Sequence, residues 1–355
     1  MIDESNQKPY HEHMSKYGLT PYQFIEKIGR TCYKSEDKIT EDSAVKFVQG
    51  LVKRKHYAML EHHWVHMVCD VPESDFNSHW DMFSRGFTFG GMKDLLKYVE
   101  ITYGDNIYIS APLRVFLELH ELIPNEIRSV ADILPSVIDE IMSCVENYYD
   151  DIFPIKKGSY RVTRHCYLEN EEDFISDLVS DLTSYECSNR VIDSEVMKHT
   201  THTVLFVCDR GVSHELVRHR PCSFAQESTR YCNYSQNKFG EEITVIKPFF
   251  FDRIEGTPNN VKFDNSTYSV WLASCEHCEN AYFDLLRKGA TPQEARSVLP
   301  NSLKTEIIMT ANEKQWQHIV DLRAKDVTGP AHPQMKEIMY PWYEELKEMT
   351  GGRIK

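Results

Sequence analysis

Arg218-His219-Arg220, followed after seven residues by Ser228 and then by Arg230, puts three permanent cations and two small hydrogen-bonding side chains within thirteen residues. Guanidinium forks stay charged and meet phosphate oxygens in two-point contacts. The chain as a whole carries a formal net charge of -14. A local knot of positive charge in so acidic a protein is poorly explained by solubility and points to a phosphorylated small ligand. Ser213 reads as the N-cap of a short helix from His214 to Arg220, with Pro221 discouraging continuation. Successive helical residues turn by about 100°, which would splay Arg218 and Arg220 to opposite sides. That favours two neighbouring anions, or one anion and one structural ion pair. The plainer alternative is a cationic helix end that complements the macrodipole and pairs with surface carboxylates; Ser228 with Arg230 tips the balance towards a site.

The surrounding sequence supplies elements to hold this knot. Thr40 reads as an N-cap ahead of Ala44, Val45, Val48, Leu51 and Val52, which recur at helical spacing. Trp64 to Val71 looks like a strand closed by Pro72, and Thr203 to Cys208 like a second, with Asp209-Arg-Gly211 turning into the cationic helix. Towards the C-terminus, Ser266 to Lys288 reads as a long helix stopped by Gly289, and Thr291-Pro292-Gln-Glu294 as a capping box that puts Arg296 in the opening turns of the next helix. Thr305 to Thr310 reads as a strand, and Asn312 with Gln315 caps a helix through Ala324. On that helix Lys314 and His318 share a face, while Trp316, Val320 and Arg323 follow another stripe.

Residues 73–200 differ in character and read as an insertion or subdomain within a single domain spanning 1–355. They contain a helical stretch, Pro135 to Tyr149, and seven acidic residues without a Lys or Arg between Glu169 and Glu186, the pattern of a solvated face. One faint echo links Ser110-Ala-Pro-Leu-Arg-Val-Phe116 to Thr310-Ala-Asn-Glu-Lys-Gln-Trp316; at seven positions chance is the default. At 355 residues the chain can bury a real core in one large domain or two ordinary ones. No apolar run approaches a membrane span, and Met1 to Tyr10 is too polar for a signal peptide, so the expected compartment is the cytosol. Ten irregularly spaced cysteines there are reduced thiols. The acidic balance argues against nucleic-acid binding but not against mononucleotides.

Arg218 to Ser228 resembles the signature of the flavin-dependent thymidylate synthases (ThyX), Arg-His-Arg then Ser after seven residues. Three further blocks follow in the same order: Gly29-Arg-Thr-Cys-Tyr33, similar to a strand-to-loop element; His56 to His62, similar to H-x-x-x-x-E-H; and Ala295-Arg-Ser-Val-Leu-Pro300 through Asn312 to Leu322-Arg323. The resemblance covers roughly Arg30 to Pro72 and Thr201 to Lys336. It implies an α/β (α+β) fold with a mixed sheet and long helices, carrying the largely helical insertion. It also implies reductive methylation of dUMP to dTMP with 5,10-methylenetetrahydrofolate, NADPH and bound FAD, in a homotetramer with shared active sites.

Carried over residue by residue, the resemblance makes Arg323 the catalytic residue, stabilising the uracil ring as its N3 proton is lost, a task suited to a permanently charged planar donor. The dUMP set is Glu215, Leu216, Val217, Arg218, Gln226, Glu227, Ser228, Thr229, Arg230, Arg296 and Arg323. The FAD set is His56, Ala58, Glu61, Arg218, His219, Arg220, Gln226, Asn312, Lys314 and His318. Ala58, Ala225 and Lys314 depart from the family's usual Ser or Thr, Asn and Arg. Each lost hydrogen bond costs about 0.5 to 1.5 kcal/mol if unreplaced. These departures motivate an alternative, a noncatalytic nucleotide-binding regulatory protein of the same fold.

Several residues invite other chemistry. Cys222 beside the cations could be a thiolate nucleophile, but a buried packing role is the commoner fate of a free cysteine. Ser228 has no evident general base. Cys275 and Cys278 fall inside a helical pattern and lack a second pair, so they read as core lining. His62, His63 and His66 near Glu61 suggest a metal, yet strand alternation sends His63 and His66 to opposite faces, and no metal site is expected.

Overall fold

The computed structural model describes residues 8–71, 73, 77, 95, 97–122, 136–153, 166–236, 239–249 and 267–355. Pro72, Pro135 and Ser266, expected at element ends, lie outside the described residues. The class is α+β. In place of one mixed sheet, two four-stranded sheets form among the described residues, and every strand pairing there is antiparallel.

Helix α1 (Pro21–Tyr33) opens on a capping box: Thr20 Oγ1 accepts from Gln23 N at 3.3 Å, Gln23 Oε1 accepts from Thr20 N at 2.9 Å, and Pro21 holds the first position. It contains Gly29 to Tyr33, so that block is helical and not a strand-to-loop element. Helix α2 (Ser43–Lys53) starts three residues after Thr40, because Ser43 Oγ accepts from Thr40 N at 2.9 Å and donates to Glu26 at 2.7 Å. A 3-10 turn, Tyr57–His62, leads into β2 (Trp64–Cys69).

Strands β3 (Glu100–Tyr103), β4 (Ile107–Pro112) and β5 (Cys166–Glu169) complete the first sheet around β2 in the order β3-β4-β2-β5. The segment expected to be largely helical therefore also supplies three strands, alongside α3 (Leu113–Leu122), α4 (Ser136–Tyr148), α5 (Glu171–Ser184) and α6 (Asn189–His199). Val65, Met67, Ile107 and Ile109 pack on one face against α2 and α3; Val68 and Tyr108 pack on the other against Phe174 and Leu178 of α5. The acidic run lies mostly on α5, whose outer residues Glu172, Asp173 and Asp177 are exposed. Glu171 instead turns inward, accepting from Lys16 at 3.2 Å and Thr201 Oγ1 at 2.9 Å.

The second sheet runs β1 (Tyr10–His13), β6 (Thr201–Asp209), β8 (Lys304–Asn312), β7 (Ser223–Gln226). Helix α7 (Arg210–Leu216) joins β6 to β7; α8 (Thr267–Arg287) and α9 (Pro292–Ala295) precede β8, and α10 (Glu313–Arg323) and α11 (Pro333–Met349) follow it. Val204, Phe206, Ile307 and Met309 face Trp316 of α10 and Trp342 of α11, both fully buried. Ala225 and Ile308 on the reverse face meet Phe24 and Ile28 of α1. Burying both faces at about 25 cal/mol per Å² of apolar surface fixes the register, since a one-residue slip would exchange the faces.

The faint sequence echo has a structural counterpart. In the first sheet Trp64 pairs with Pro112 and His66 with Ser110; in the second Thr201 pairs with Asn312 and Thr203 with Thr310. In both, a helix starts at the next residue, and its first N–H reaches back to the residue before the first strand. Leu113 N donates to His63 O at 2.8 Å, and Glu313 N to Thr200 O at 3.0 Å.

Candidate functional site

The cationic segment is positioned by Asp209, not Ser213. Asp209 Oδ1 accepts from Val212 N at 2.7 Å, which starts α7 immediately after β6 and ends it at Leu216. Ser213 instead lies inside the helix and donates to Arg210 O at 2.9 Å. Arg218 to Arg220 consequently lie beyond the helix, in the turn before β7, so the helical splay expected of the two arginines does not apply. The Arg220–Pro221 peptide bond is cis.

Within this turn the three residues separate by role. His219 is buried; its Nδ1 donates to Leu216 O at 2.8 Å and its Nε2 accepts from Arg323 Nε at 3.1 Å. Burial holds its pKa below the usual imidazole value, opposed by the Leu216 carbonyl and reinforced by the Arg323 charge. A neutral imidazole can accept the guanidinium N–H where an imidazolium could not. Arg323 also donates to Glu215 Oε2 at 3.3 Å. Glu215, His219 and Arg323 are thereby brought together, with the last residue of α10 fixed and part of its guanidinium open to solvent. Arg218 and Arg220 are exposed and, among the described residues, neither has a carboxylate within 4 Å.

Arg220 borders a cavity of about 400 Å³ that also takes in Glu61, Arg114, Glu118, Ser223 and Asn312. Three of the residues expected to hold flavin, Glu61, Arg220 and Asn312, therefore converge. Asn312 Oδ1 caps α10 by accepting from Gln315 N at 3.0 Å, and its Nδ2 donates to Lys198 O at 2.9 Å. Burial raises the Glu61 carboxyl above its usual range, opposed by Arg114 and, more weakly, Arg220. Lys314 is exposed on the first turn of α10, and its charge acts on Glu100, another wall residue. His318 is exposed a turn later, and His56 and Ala58 are exposed around the 3-10 turn, outside the cavity lining.

The residues expected to bind dUMP do not line one described cavity together. Leu216 is fully buried in the core and Val217 packs beside it, and the Leu216 carbonyl is taken by His219. Gln226 Nε2 donates to Ser213 Oγ at 2.8 Å and Thr305 Oγ1 at 3.2 Å. Glu227 is buried, accepts from Tyr234 OH at 3.2 Å, and lines a separate cavity of about 530 Å³ with Lys34, Lys304 and Glu306. Burial raises its carboxyl pKa, with Lys34 opposing. Ser228 is half-buried and Thr229 buried, while Arg230 is exposed over the Tyr231 ring at 5.4 Å. Arg296 is exposed in a 3-10 turn, Arg296–Val298, because α9 is only four residues long.

The other candidates resolve into packing. Burial pushes the Cys222 thiol up to about 12, Gln315 and Arg220 opposing, which removes it as a nucleophile near neutrality. Cys275 is buried on α8 and Cys278 half-buried. His63 Nε2 lies 2.8 Å from Tyr149 OH, whereas His66 Nδ1 lies 2.9 Å from Ser110 Oγ. Sequence reasoning missed Arg114, Glu118 and Ser223 as walls of the cavity. For Arg114 the signal was present: the echo aligns it with Lys314.

The sequence model of the family described as thymidylate synthase complementing protein, Thy1, matches residues 156–350, more than half of the chain. The chain is 28% identical over 159 residues to the flavin-dependent thymidylate synthase of Pyrococcus furiosus, covering 44% of this chain and 59% of that protein. It is 30% identical over 129 residues to that of Geobacter sulfurreducens (36% and 50%), and 30% over 161 residues to that of Corynebacterium aurimucosum (44% and 61%). The match thus spans about half to three-fifths of these relatives' length. His56, Ala58 and Glu61 fall outside the matched segment, while the Arg218 turn, Asn312 and Arg323 fall within it. The chain belongs to the Thy1 family, that of the flavin-dependent thymidylate synthases.

Proposed function

We propose that this protein is a thymidylate synthase that converts dUMP to dTMP, taking its one-carbon unit from 5,10-methylenetetrahydrofolate and reducing equivalents from NADPH through FAD. The observation that supports this most directly is the Arg218–Arg220 turn, where two arginines without ion pairs among the described residues flank a neutral histidine that orients Arg323. The cavity beside it fits a flavin chemically: Arg220 offers an exposed guanidinium to phosphoryl oxygens, and Trp64, Tyr98 and Pro112 offer apolar surface to a planar ring. Arg220, Asn312, Lys314 and Glu61 would hold FAD there, with Arg218, His219, His318, Gln226, His56 and Ala58 completing the expected set. When bound, the flavin supplies hydride.

The chain's own residues do the rest. Arg323 has five N–H donors, two of them engaged by His219 and Glu215, and the remainder can stabilise negative charge on a uracil ring as its N3 proton leaves. His219 positions that guanidinium without adding a charge of its own. Gln226, Glu227, Ser228, Thr229, Arg230 and Arg296, with Glu215, Leu216 and Val217, would hold the nucleotide. Residues 1–355 act as a single catalytic domain, in which residues 73–200, expected as an insertion, supply β3, β4, β5, α3 and a wall of the cavity, and the enzyme works as a cytosolic homotetramer with shared sites.

Product analysis tests the reading. Protein supplied with FAD, dUMP, methylenetetrahydrofolate and NADPH should yield dTMP, and omitting any one should abolish it. Tight dUMP binding without NADPH oxidation or dTMP would overturn the proposal and leave a noncatalytic nucleotide-binding protein.

A further inference from the structure

The two strand-to-helix joints contact each other reciprocally. His62, two residues before β2, places Nδ1 2.7 Å from Thr310 Oγ1 of β8. His199, two residues before β6, places Nδ1 2.8 Å from Ser110 Oγ of β4. Ser110 and Thr310 hold equivalent register positions, two residues before the last residue of their strands. Each joint's histidine thus reaches the other joint's hydroxyl, the pattern a twofold axis imposes on two copies of one surface. Together with the shared registers and the paired backbone bonds of Leu113 and Glu313, this makes β2-β4-α3 and β6-β8-α10 two geometrically equivalent copies of one strand-to-helix unit.

The cavity bordered by Arg220 lies where these copies meet. Pro112, Arg114 and Glu118 come from the first, and Thr310, Ala311 and Asn312 from the second. By register Arg114 stands where Lys314 stands, and Glu118 where His318 stands. We propose that Arg114 is a second ligand-gripping cation of this cavity, contributed by the first copy and directed at the phosphoryl groups of the dinucleotide. The inference rests on the flavin reading above. Arg114 donates Nε to Glu118 at 2.7 Å and a terminal N–H to Glu61, yet its side chain remains 37% exposed. Of its five donors, those two are engaged among the described residues, and three remain for a ligand. Arg220 lines the same cavity and its charge also acts on the Glu61 carboxyl, so a phosphoryl oxygen entering beside Glu61 can meet both guanidiniums.

Dissociation constants for FAD and for ADP, a probe that lacks the flavin ring, measured across a range of KCl concentrations, test this. Arg114→Gln should weaken both probes about tenfold and flatten the salt dependence. Glu118→Gln, which releases Arg114 from one carboxylate, should tighten both. Wild-type affinity and salt dependence in Arg114→Gln would overturn the assignment and leave a structural ion pair. Should Arg114→Gln fail to fold, Glu118→Gln decides: tighter binding supports the proposal, and unchanged or weaker binding overturns it. A wild-type chain that binds ADP but not FAD removes the flavin reading alone, with Arg114 then judged on ADP. Binding of neither probe overturns both.

Discussion

The two copies of the strand-to-helix unit use the same joint under opposite electrostatic rules. In the first, Arg114 on α3 is neutralised by Glu61 and Glu118. In the second, Lys314 and His318 on α10 are exposed, and the neighbouring Arg218 and Arg220 carry no acid within ion-pair distance among the described residues. Matched backbone geometry therefore does not decide where a ligand binds. The difference lies in how far each cation is already engaged: Arg114 can offer a ligand only the donors that Glu61 and Glu118 leave, whereas Arg218 and Arg220 offer whole guanidinium groups.

The sharpest way to break this contrast is to remove the oriented cation of the second copy. Arg323→Ala should lower kcat by about 10²- to 10³-fold, the usual cost of one preorganised donor, while FAD affinity stays within about twofold; unchanged kcat would take Arg323 out of the mechanism. The next effect probes the interface between copies. Burial holds His62 and His199 at a pKa of about 3, so both are neutral when folded and bind protons near 6.5 when unfolded. Their contribution is complete above pH 6.5 and is lost as the pH falls from there towards 3, by up to about 1.4 kcal/mol per pH unit for each. Urea midpoints should drop between pH 7.5 and 5, and less steeply in His62→Gln; equal slopes would place the pH sensitivity elsewhere.

Smaller effects refine the picture. Arg220→Gln should weaken FAD about tenfold, the scale of one charge-assisted hydrogen bond, whereas Arg287→Gln, an exposed pair with Asp284 far along α8, should leave affinity unchanged. Asp209→Ala removes the α7 cap and should cost about 1 kcal/mol in a denaturant titration. A null result would mean that β6 alone fixes where the cationic turn begins.

The sequence was most legible where one local rule acted alone. Asn312 with Gln315 marked the start of α10, Gly289 at φ +94° follows the end of α8, and the apolar periodicity of residues 44–52 gave α2. It was misleading where two caps competed: Ser213 and Asp209 both suit an N-cap, and only the end of β6 selects Asp209. The cationic motif was plain from residue types, but its division into a buried, neutral His219 and two open arginines depends on Arg323, more than a hundred residues away. The cavity's first-copy wall was invisible to motif reading because Glu61 and Arg114 meet only through strand pairing, although the echo with Thr310 to Trp316 held the clue. Between Gln226 and Arg230, Ser228 and Arg230 were marked by residue type and the others by resemblance; Glu227 and Thr229 are buried there, and only Arg230 is fully exposed.

The central claim is that the Arg218–Arg220 turn grips a flavin and a uridylate side by side. A difference absorption spectrum of the purified protein, saturated with FAD and then titrated with dUMP, tests it most directly. The account predicts retained flavin and a saturable shift of the flavin bands on adding dUMP, with the shift lost in Arg218→Gln. Protein that takes up no FAD, or a flavin spectrum indifferent to dUMP, would contradict it.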